Sequence, residues 1–317
     1  MNIVVLDGFT LNPGDLSWAD FEKLGSVKVY DRTPADLTIE RCKDAEIVIT
    51  NKTVISNNVI LALPKLKYVG VLSTGFNVVD INTAAKKGII VSNVPAYSTN
   101  SVAQITFALL LELVTNVGIH NKSVHEGEWE NSSDFSYSKT SLIELSGLTF
   151  GIIGFGRIGR AVSKIANALG MNLLVTKRSE LKDVPNYVKV VHFNEMFKNS
   201  DVISLHLPLN NENSEFINSA TLSLMKPTAY LLNTSRGGLI NEIDLANALN
   251  KNKIAGAGLD VLSTEPPMKN NPLLNAKNCV ITPHIAWATK AARIRLMKIA
   301  EENIRAFINC VPQNIVS

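Results

Sequence analysis

Cysteine is scarce in this chain. Its three residues, Cys42, Cys279 and Cys310, lie far apart in 317 positions and have none of the short spacings that bind a metal or build a disulfide framework. They are expected to be reduced packing thiols of a cytoplasmic protein, and no metal site is expected. Long apolar runs are missing too: residues 105–111 fall well short of the roughly 20 needed to span a bilayer. The chain opens on an apolar strand at 3–6 with no basic or signal-type segment before it, which speaks against export. Charge of one sign is also lacking. Lys plus Arg number 31 against 28 Asp plus Glu, for a net +3, and no basic run or aromatic-basic interleaving marks a nucleic-acid binder. What remains is a chain long enough for two domains, each with its own core.

Short β-branched runs recur with helical stretches between them at 3–6, 27–30, 46–50, 68–72 and 89–92. The same grammar resumes at 148–153, 172–176, 188–191, 201–206, 229–233, 254–260 and 279–282. Strands alternating with helices predict parallel sheets. The boundary is expected near Asn93-Val94-Pro95, where a proline ends a strand and residues 98–100 can cap a long apolar helix running to about 117. The final helix, 289–307, is amphipathic and is expected to return to the first domain. The expected architecture is therefore α/β with two doubly wound parallel-sheet domains. A Rossmann cofactor domain at 98–287 is inserted into a flavodoxin-like substrate domain made of 1–97 and 288–317. An aromatic, polar segment at 126–139, with Trp129, Phe135 and Tyr137, either packs on its own domain or forms a dimer contact, since aromatics are enriched in interface cores.

Gly154-x-Gly156-x-x-Gly159 sits between the apolar run 148–153 and a helix-like stretch at 158–169, the strand-turn-helix setting that a dinucleotide fingerprint requires. Gly154 permits a tight turn, Gly156 lets the backbone approach a pyrophosphate, and Gly159 lets helix and strand pack closely. Free N–H groups at the helix start then face the phosphates.

Three ionisable residues follow later strands: Arg236 after 230–233, Glu265 after 258–261 and His284 after 280–283. Open α/β sheets bind ligands outside the carboxyl ends of their strands, so all three are expected at one sheet edge. The planar fork of Arg236 suits a carboxylate substrate. His284 suits proton exchange with a hydroxyl or carbonyl oxygen, and Glu265 is assigned to fix its tautomer and favour its protonated form. His206, closing a strand just before Leu207-Pro208, is expected to line the cofactor crevice. His120, His125 and His192 fall in polar stretches without convergent partners.

The set Gly154-Phe155-Gly156-Arg157-Ile158-Gly159, Ser204-Leu205-His206-Leu207-Pro208, Asn233-Thr234-Ser235-Arg236-Gly237, Asp260-Val261 with Glu265-Pro266, and Thr282-Pro283-His284 resembles the D-isomer-specific 2-hydroxyacid dehydrogenase family over nearly the whole chain. Gly127-Glu128-Trp129, Asp134-Phe135, Val102-Ala103-Gln104 and residues 284–288 look like its glycerate dehydrogenase, or hydroxypyruvate reductase, branch. The resemblance implies a catalytic trio of Arg236, Glu265 and His284 and a homodimer built on the cofactor domains. It also implies a substrate loop at Ser73-Thr74-Gly75 whose N–H groups hold a carboxylate. Cofactor contacts are implied at Gly154 to Gly159, His206, Pro208, Thr234, Ser235 and Asp260. Asn77-Val78 departs from the wider family, which often has an acidic residue followed by Asn there.

A second departure bears on the cofactor. NAD-specific sites place an acidic residue at the end of the second strand, about twenty residues after the glycines, to bind the ribose 2′-OH. Here that strand runs into Lys177-Arg178, a cationic pair that favours a 2′-phosphate. NADP(H) is the expected cofactor, with NAD(H) the alternative through Glu180. The expected reaction is hydride transfer on a small D-2-hydroxy or 2-oxo acid, D-glycerate/hydroxypyruvate or glyoxylate first. D-Lactate, 3-phosphoglycerate and a corepressor-like nucleotide sensor are the alternatives. Trp129 and Trp287 are expected to narrow the pocket to two- and three-carbon acids.

Overall fold

Two parallel sheets organise the chain. The structure, a computed structural model, describes residues 1–176 and 183–317. It divides into two units, Met1–Ser98 with Ala288–Ser317, and Thr99–Trp287.

In the first unit, β1 (Asn2–Val5), β2 (Ser26–Val29), β3 (Ile47–Thr50), β4 (Tyr68–Val71) and β5 (Ile90–Ser92) form one sheet in the order β2-β1-β3-β4-β5. Every pairing is parallel, and the order is that of flavodoxin. Strands β3 and β4 are buried along their whole length. A parallel sheet covered on both faces leaves no polar side, which is why these segments read as unbroken apolar runs. The C-terminal helix, Lys290–Ile308, belongs to this unit. Its Phe307 ring lies 4.8 Å from that of Tyr68. Arg293, 9% exposed, donates to both oxygens of Asp15 at 2.7 and 2.8 Å and to the Leu11 carbonyl at 2.9 Å. The Arg293 hydrogen bond holds the Asp15 carboxyl below its ordinary range.

The second unit holds β6 (Thr149–Ile153), β7 (Asn172–Thr176), β8 (Val188–Val191), β9 (Val202–Leu205), β10 (Tyr230–Asn233), β11 (Gly256–Leu259) and β12 (Cys279–Ile281). Their order is β12-β11-β10-β9-β6-β7-β8, again parallel throughout. This is the Rossmann order with one further strand, and it reverses between β6 and β9, the position at which such sheets bind nucleotides. Alternate residues serve two cores, as the strand period of two demands. Phe150, Ile152, Val202 and Leu232 join Phe107, Leu110 and Val162. Ile203, Leu205 and Leu231 join Met196, Phe197 and Leu249 instead.

The long helix ends close to where its apolar pattern predicts. It spans Thr99–Thr115, and Asn116 adopts a left-handed conformation, φ 50°, before a second helix, Val117–His125, bent by 59° from the first. Asparagine is among the few residues that enter that region readily. Among the described residues, no single helix is long and apolar enough to cross a membrane.

Candidate active site

The glycine loop leaves β6 beside the end of β9, where Ile153 pairs with Leu205. Gly154 has φ +99°, and a Cβ there would lie 2.5 Å from the His206 carbonyl oxygen, so only glycine fits. A Cβ on Gly159 would lie 2.3 Å from the Gly154 oxygen, which sets the close seating of helix on loop. Gly156 is different: a Cβ there meets no protein atom within 4 Å. Its missing side chain opens onto a cavity of about 1260 Å³ lined by Gly154, Phe155, Gly156, Thr176 and Pro208 among others. Gly156 is also the N-cap of the Arg157–Ala168 helix and supplies no side-chain cap. The first-turn N–H groups therefore keep their hydrogen-bonding capacity for an anion.

These features fit a dinucleotide: a bare backbone facing the cavity, an uncapped helix start and a site at the reversal of the sheet. Of the remaining expected cofactor residues, Arg157, Ile158 and Gly159 form the helix start. His206 leaves β9 with Nε2 2.8 Å from Ser204 Oγ, and its Nδ1 is sealed from solvent without a partner among the described residues. Burial pushes the His206 imidazole down to about 3, so it is neutral. Lys177 and Arg178 lie outside the described residues. Cavity residues that the sequence pattern did not single out include Phe193, Asn210, Asn213 and Phe216, and His192, expected in a polar stretch without convergent partners, lines the cavity as well. His192 caps the helix Phe193–Asn199 positionally; a strand followed at once by a helix was the only available signal.

The three ionisable residues stand beyond the carboxyl ends of adjacent strands β10, β11 and β12. Arg236 follows Asn233, which is fully buried and organises the turn: its Oδ1 accepts from Ser235 N and Oγ, and its Nδ2 donates to the Arg236 carbonyl. Next comes Gly237, where a Cβ would lie 1.9 Å from the Leu262 carbonyl carbon. That close approach lets the Arg236 turn lie against the loop bearing Glu265. Glu265 Oε1 accepts from Leu262 N at 3.1 Å, and Oε2 stands 2.6 Å from His284 Nδ1. A carboxylate only accepts, so Nδ1 carries the proton of this bond and Nε2 is left for chemistry. The pair is 34% and 29% exposed, Glu265 and His284 respectively, so it is open to a ligand.

His284 has φ +53°, costly for a residue with a Cβ. Asp260 holds this loop. One of its oxygens accepts from Thr282 Oγ1 at 2.6 Å and Ile285 N at 2.9 Å, the other from Ala286 N at 2.8 Å. Burial raises the Asp260 pKa despite these bonds. Asp260, expected to touch cofactor, thus spends both oxygens on the histidine loop.

In the first unit, Ser73-Thr74-Gly75 follows β4. Thr74 Oγ1 donates to the Val94 carbonyl and Asn93 Nδ2 to that of Thr74, while the N–H groups of Thr74 and Gly75 have no hydrogen-bond partner among the described residues. The neighbouring turn after β3 is fixed by Asp7, whose carboxylate accepts from the N–H groups of Asn51, Lys52 and Thr53. In the aromatic segment of the second unit, Trp129 Nε1 donates to the Phe135 carbonyl, and Tyr137 meets Ser123. His120 has partners after all: Nδ1 reaches the Asn116 carbonyl at 2.8 Å and Nε2 accepts from Lys139 N at 3.0 Å, tying helix to arm.

A glycine loop opening onto a cavity at the switch of a Rossmann sheet, with a hydrogen-bonded carboxylate–imidazole pair beyond its strand ends, is the arrangement a nicotinamide-dependent oxidoreductase requires. The sequence profile described as "D-isomer specific 2-hydroxyacid dehydrogenase, NAD binding domain" matches residues 107–286. A hydroxypyruvate reductase of Blautia hydrogenotrophica is 50% identical over 321 residues, covering 100% of both chains. A glycerate dehydrogenase of Methylorubrum extorquens is 36% identical, over 99% of this chain and 98% of its own. Among solved structures, the D-lactate dehydrogenase of Aquifex aeolicus, complexed with NAD and lactic acid, superposes with TM-score 0.84 at 30% identity, over 98% of this chain and 96% of its own. An acyclic imino acid reductase in complex with NADPH and D-arginine gives TM-score 0.87 at 33% identity over the whole of both chains. The chain belongs to the D-isomer specific 2-hydroxyacid dehydrogenase family.

Proposed function

We propose that this protein reduces hydroxypyruvate, and glyoxylate as a second substrate, to the corresponding D-2-hydroxy acid with NADPH as the preferred reductant. The Glu265–His284 pair carries the reading, because it leaves one imidazole nitrogen ready to exchange a proton at a strand end next to an arginine. The full-length similarity to a hydroxypyruvate reductase supports the substrate.

The glycine loop, the start of the Arg157–Ala168 helix, His206 and Pro208 hold the cofactor. A bound nicotinamide supplies the hydride that reaches C2 of the oxo acid. Arg236 binds the substrate carboxylate through its planar fork. On the first unit, the Thr74 and Gly75 N–H groups, without a hydrogen-bond partner among the described residues, suit their loop to holding a carboxylate. Glu265 keeps the Nδ1 proton in place, and Nε2 of His284 gives its proton to the C2 oxygen as negative charge develops there. A placed proton donor is typically worth about 10² to 10⁴-fold in rate. Trp287, three residues after His284, restricts the substrate to two or three carbons.

Lys177-Arg178 supports the cofactor preference, since the pair directly follows Thr176, which lines the cavity, and offers cations where an NAD site would place a carboxylate. The aromatic arm supports a homodimer. Phe135 is 92% exposed, and Val117, Ile119, Val124, Trp129 and Leu142 add exposed apolar surface, a combination that marks an interaction face.

Initial rates of hydroxypyruvate reduction with NADPH and NADH at matched concentrations test the proposal. Activity favouring NADPH is expected, with weaker turnover of phenylpyruvate. NADH preference would reject the Lys177-Arg178 argument, equal or better use of phenylpyruvate would reject the size argument, and inactivity on every 2-oxo acid would reject the reductase.

A further inference from the structure

We infer that Ser101 and Thr106, two hydroxyl residues on the helix Thr99–Thr115, are positioning residues that brace the two loops carrying His284 and Arg236. The inference rests on the proposed roles of those two residues. This helix is the apolar rod that packs Phe107, Leu110 and Leu113 into a core of the second unit. Neither hydroxyl helps that packing. Ser101 is 3% exposed and Thr106 is fully buried, and a buried hydroxyl costs free energy unless it is hydrogen-bonded.

Each hydroxyl has a partner next to a proposed catalytic residue. Ser101 Oγ donates to the Ala286 carbonyl at 2.6 Å, two residues after His284. The Ala286 N–H meanwhile donates to Asp260 at 2.8 Å, so the Ala286 backbone is clamped from both sides, by helix and by β11 loop. The clamp sits beside a histidine held at φ +53°, a conformation that persists only where its surroundings enforce it. Thr106 Oγ1 lies 2.9 Å from the Val102 carbonyl and 3.1 Å from Thr234 Oγ1. A hydroxyl has one proton. Thr106 spends its own within the helix, and Thr234, two residues before Arg236, donates to it. Five residues of α-helix span about 7.5 Å, so one rigid rod sets the spacing of the proton donor's loop and the carboxylate binder's loop.

The two hydroxyls act on different loops and so predict different kinetic signatures. Ser101→Ala frees the histidine loop and is expected to lower kcat for hydroxypyruvate reduction ~10- to 100-fold, the scale at which small misplacements are felt, with KM within about twofold. The ring ¹⁵N signals of His284, which report its bond to Glu265, should shift. Thr106→Val keeps the shape and removes the hydroxyl. It is expected to raise KM for hydroxypyruvate several-fold with less effect on kcat, and Thr106→Ser should restore the parent value. Parent-like kinetics and ¹⁵N signals in Ser101→Ala, or a Thr106→Ser as impaired as Thr106→Val, would overturn the inference. The Thr106 pair decides it if Ser101→Ala does not fold. A parent protein inactive on 2-oxo acids would instead defeat the functional reading, and the ¹⁵N comparison would still decide whether Ser101 positions the His284 ring.

Discussion

Acid should weaken the second unit through one side chain, His206. Its imidazole stands at the end of β9, with Nε2 2.8 Å from Ser204 Oγ and Nδ1 sealed from solvent without a partner among the described residues. Burial pushes its pKa from 6.5 down to about 3. In the unfolded chain the same imidazole takes up a proton below about 6.5, whereas the folded protein resists until about 3. Between those values the unfolded state binds more protons, so the stabilisation is complete above the unfolded value and declines as pH falls. At pH 5 the loss is about 2 kcal/mol, from roughly 1.5 pH units at ~1.4 kcal/mol each, and it reaches at most ~5 kcal/mol below pH 3. Urea unfolding without cofactor at pH 7.5 and pH 5.0 measures it, comparing the parent with His206→Gln. The variant is expected to be less stable at both pH values, but the parent should lose about 2 kcal/mol more between them. Equal losses would refute the reasoning, because they would show that His206 does not stay neutral on folding.

His284→Ala is expected to reduce the rate of hydroxypyruvate reduction by about 10² to 10⁴-fold with the cofactor Kd, followed by protein fluorescence, within about twofold; unchanged turnover would sink its role. Arg236→Lys should raise KM at least ~10-fold, since an ammonium cannot grip a carboxylate at two points, and steady-state kinetics with an unaltered KM would show that the carboxylate binds elsewhere. Exchanging Lys177 for Asp and Arg178 for Ser should move the kcat/KM preference from NADPH towards NADH, and a ratio that does not move would remove the pair from cofactor selection. Phe135→Asp should shift a dimer towards monomer in sedimentation velocity, while a parent that sediments as a monomer would remove the arm from any assembly.

Much of the fold is legible because each strand of a doubly covered parallel sheet must be apolar on both sides. The runs at 47–50, 68–71 and 230–233 therefore stand out without any partner being known. The end of the long helix is legible to within two residues, at about 117 against Thr115; the second helix after it is hidden, because the break is one left-handed residue, Asn116, inside a sequence that keeps its helical periodicity. His120 reads as a solvent-facing polar residue, yet the path of the arm brings Lys139 to one ring nitrogen.

What the sequence by itself determined is which glycines and ionisable residues follow the strands of the second sheet, and hence the edge where they gather. Glycines at 154, 156 and 159 require close backbone approach, and Arg236, Glu265 and His284 each follow a strand whose carboxyl end must open onto a ligand. Only the tertiary structure decided how they are held. The 2.6 Å bond between Glu265 and His284, the Asp260 carboxylate spent on the histidine loop, and the two hydroxyls of the Thr99–Thr115 helix join residues that are distant in the chain. Apolar periodicity is written along one segment and can be read there. A hydrogen bond between segments depends on register, loop path and helix packing, which exist only once both sides have folded.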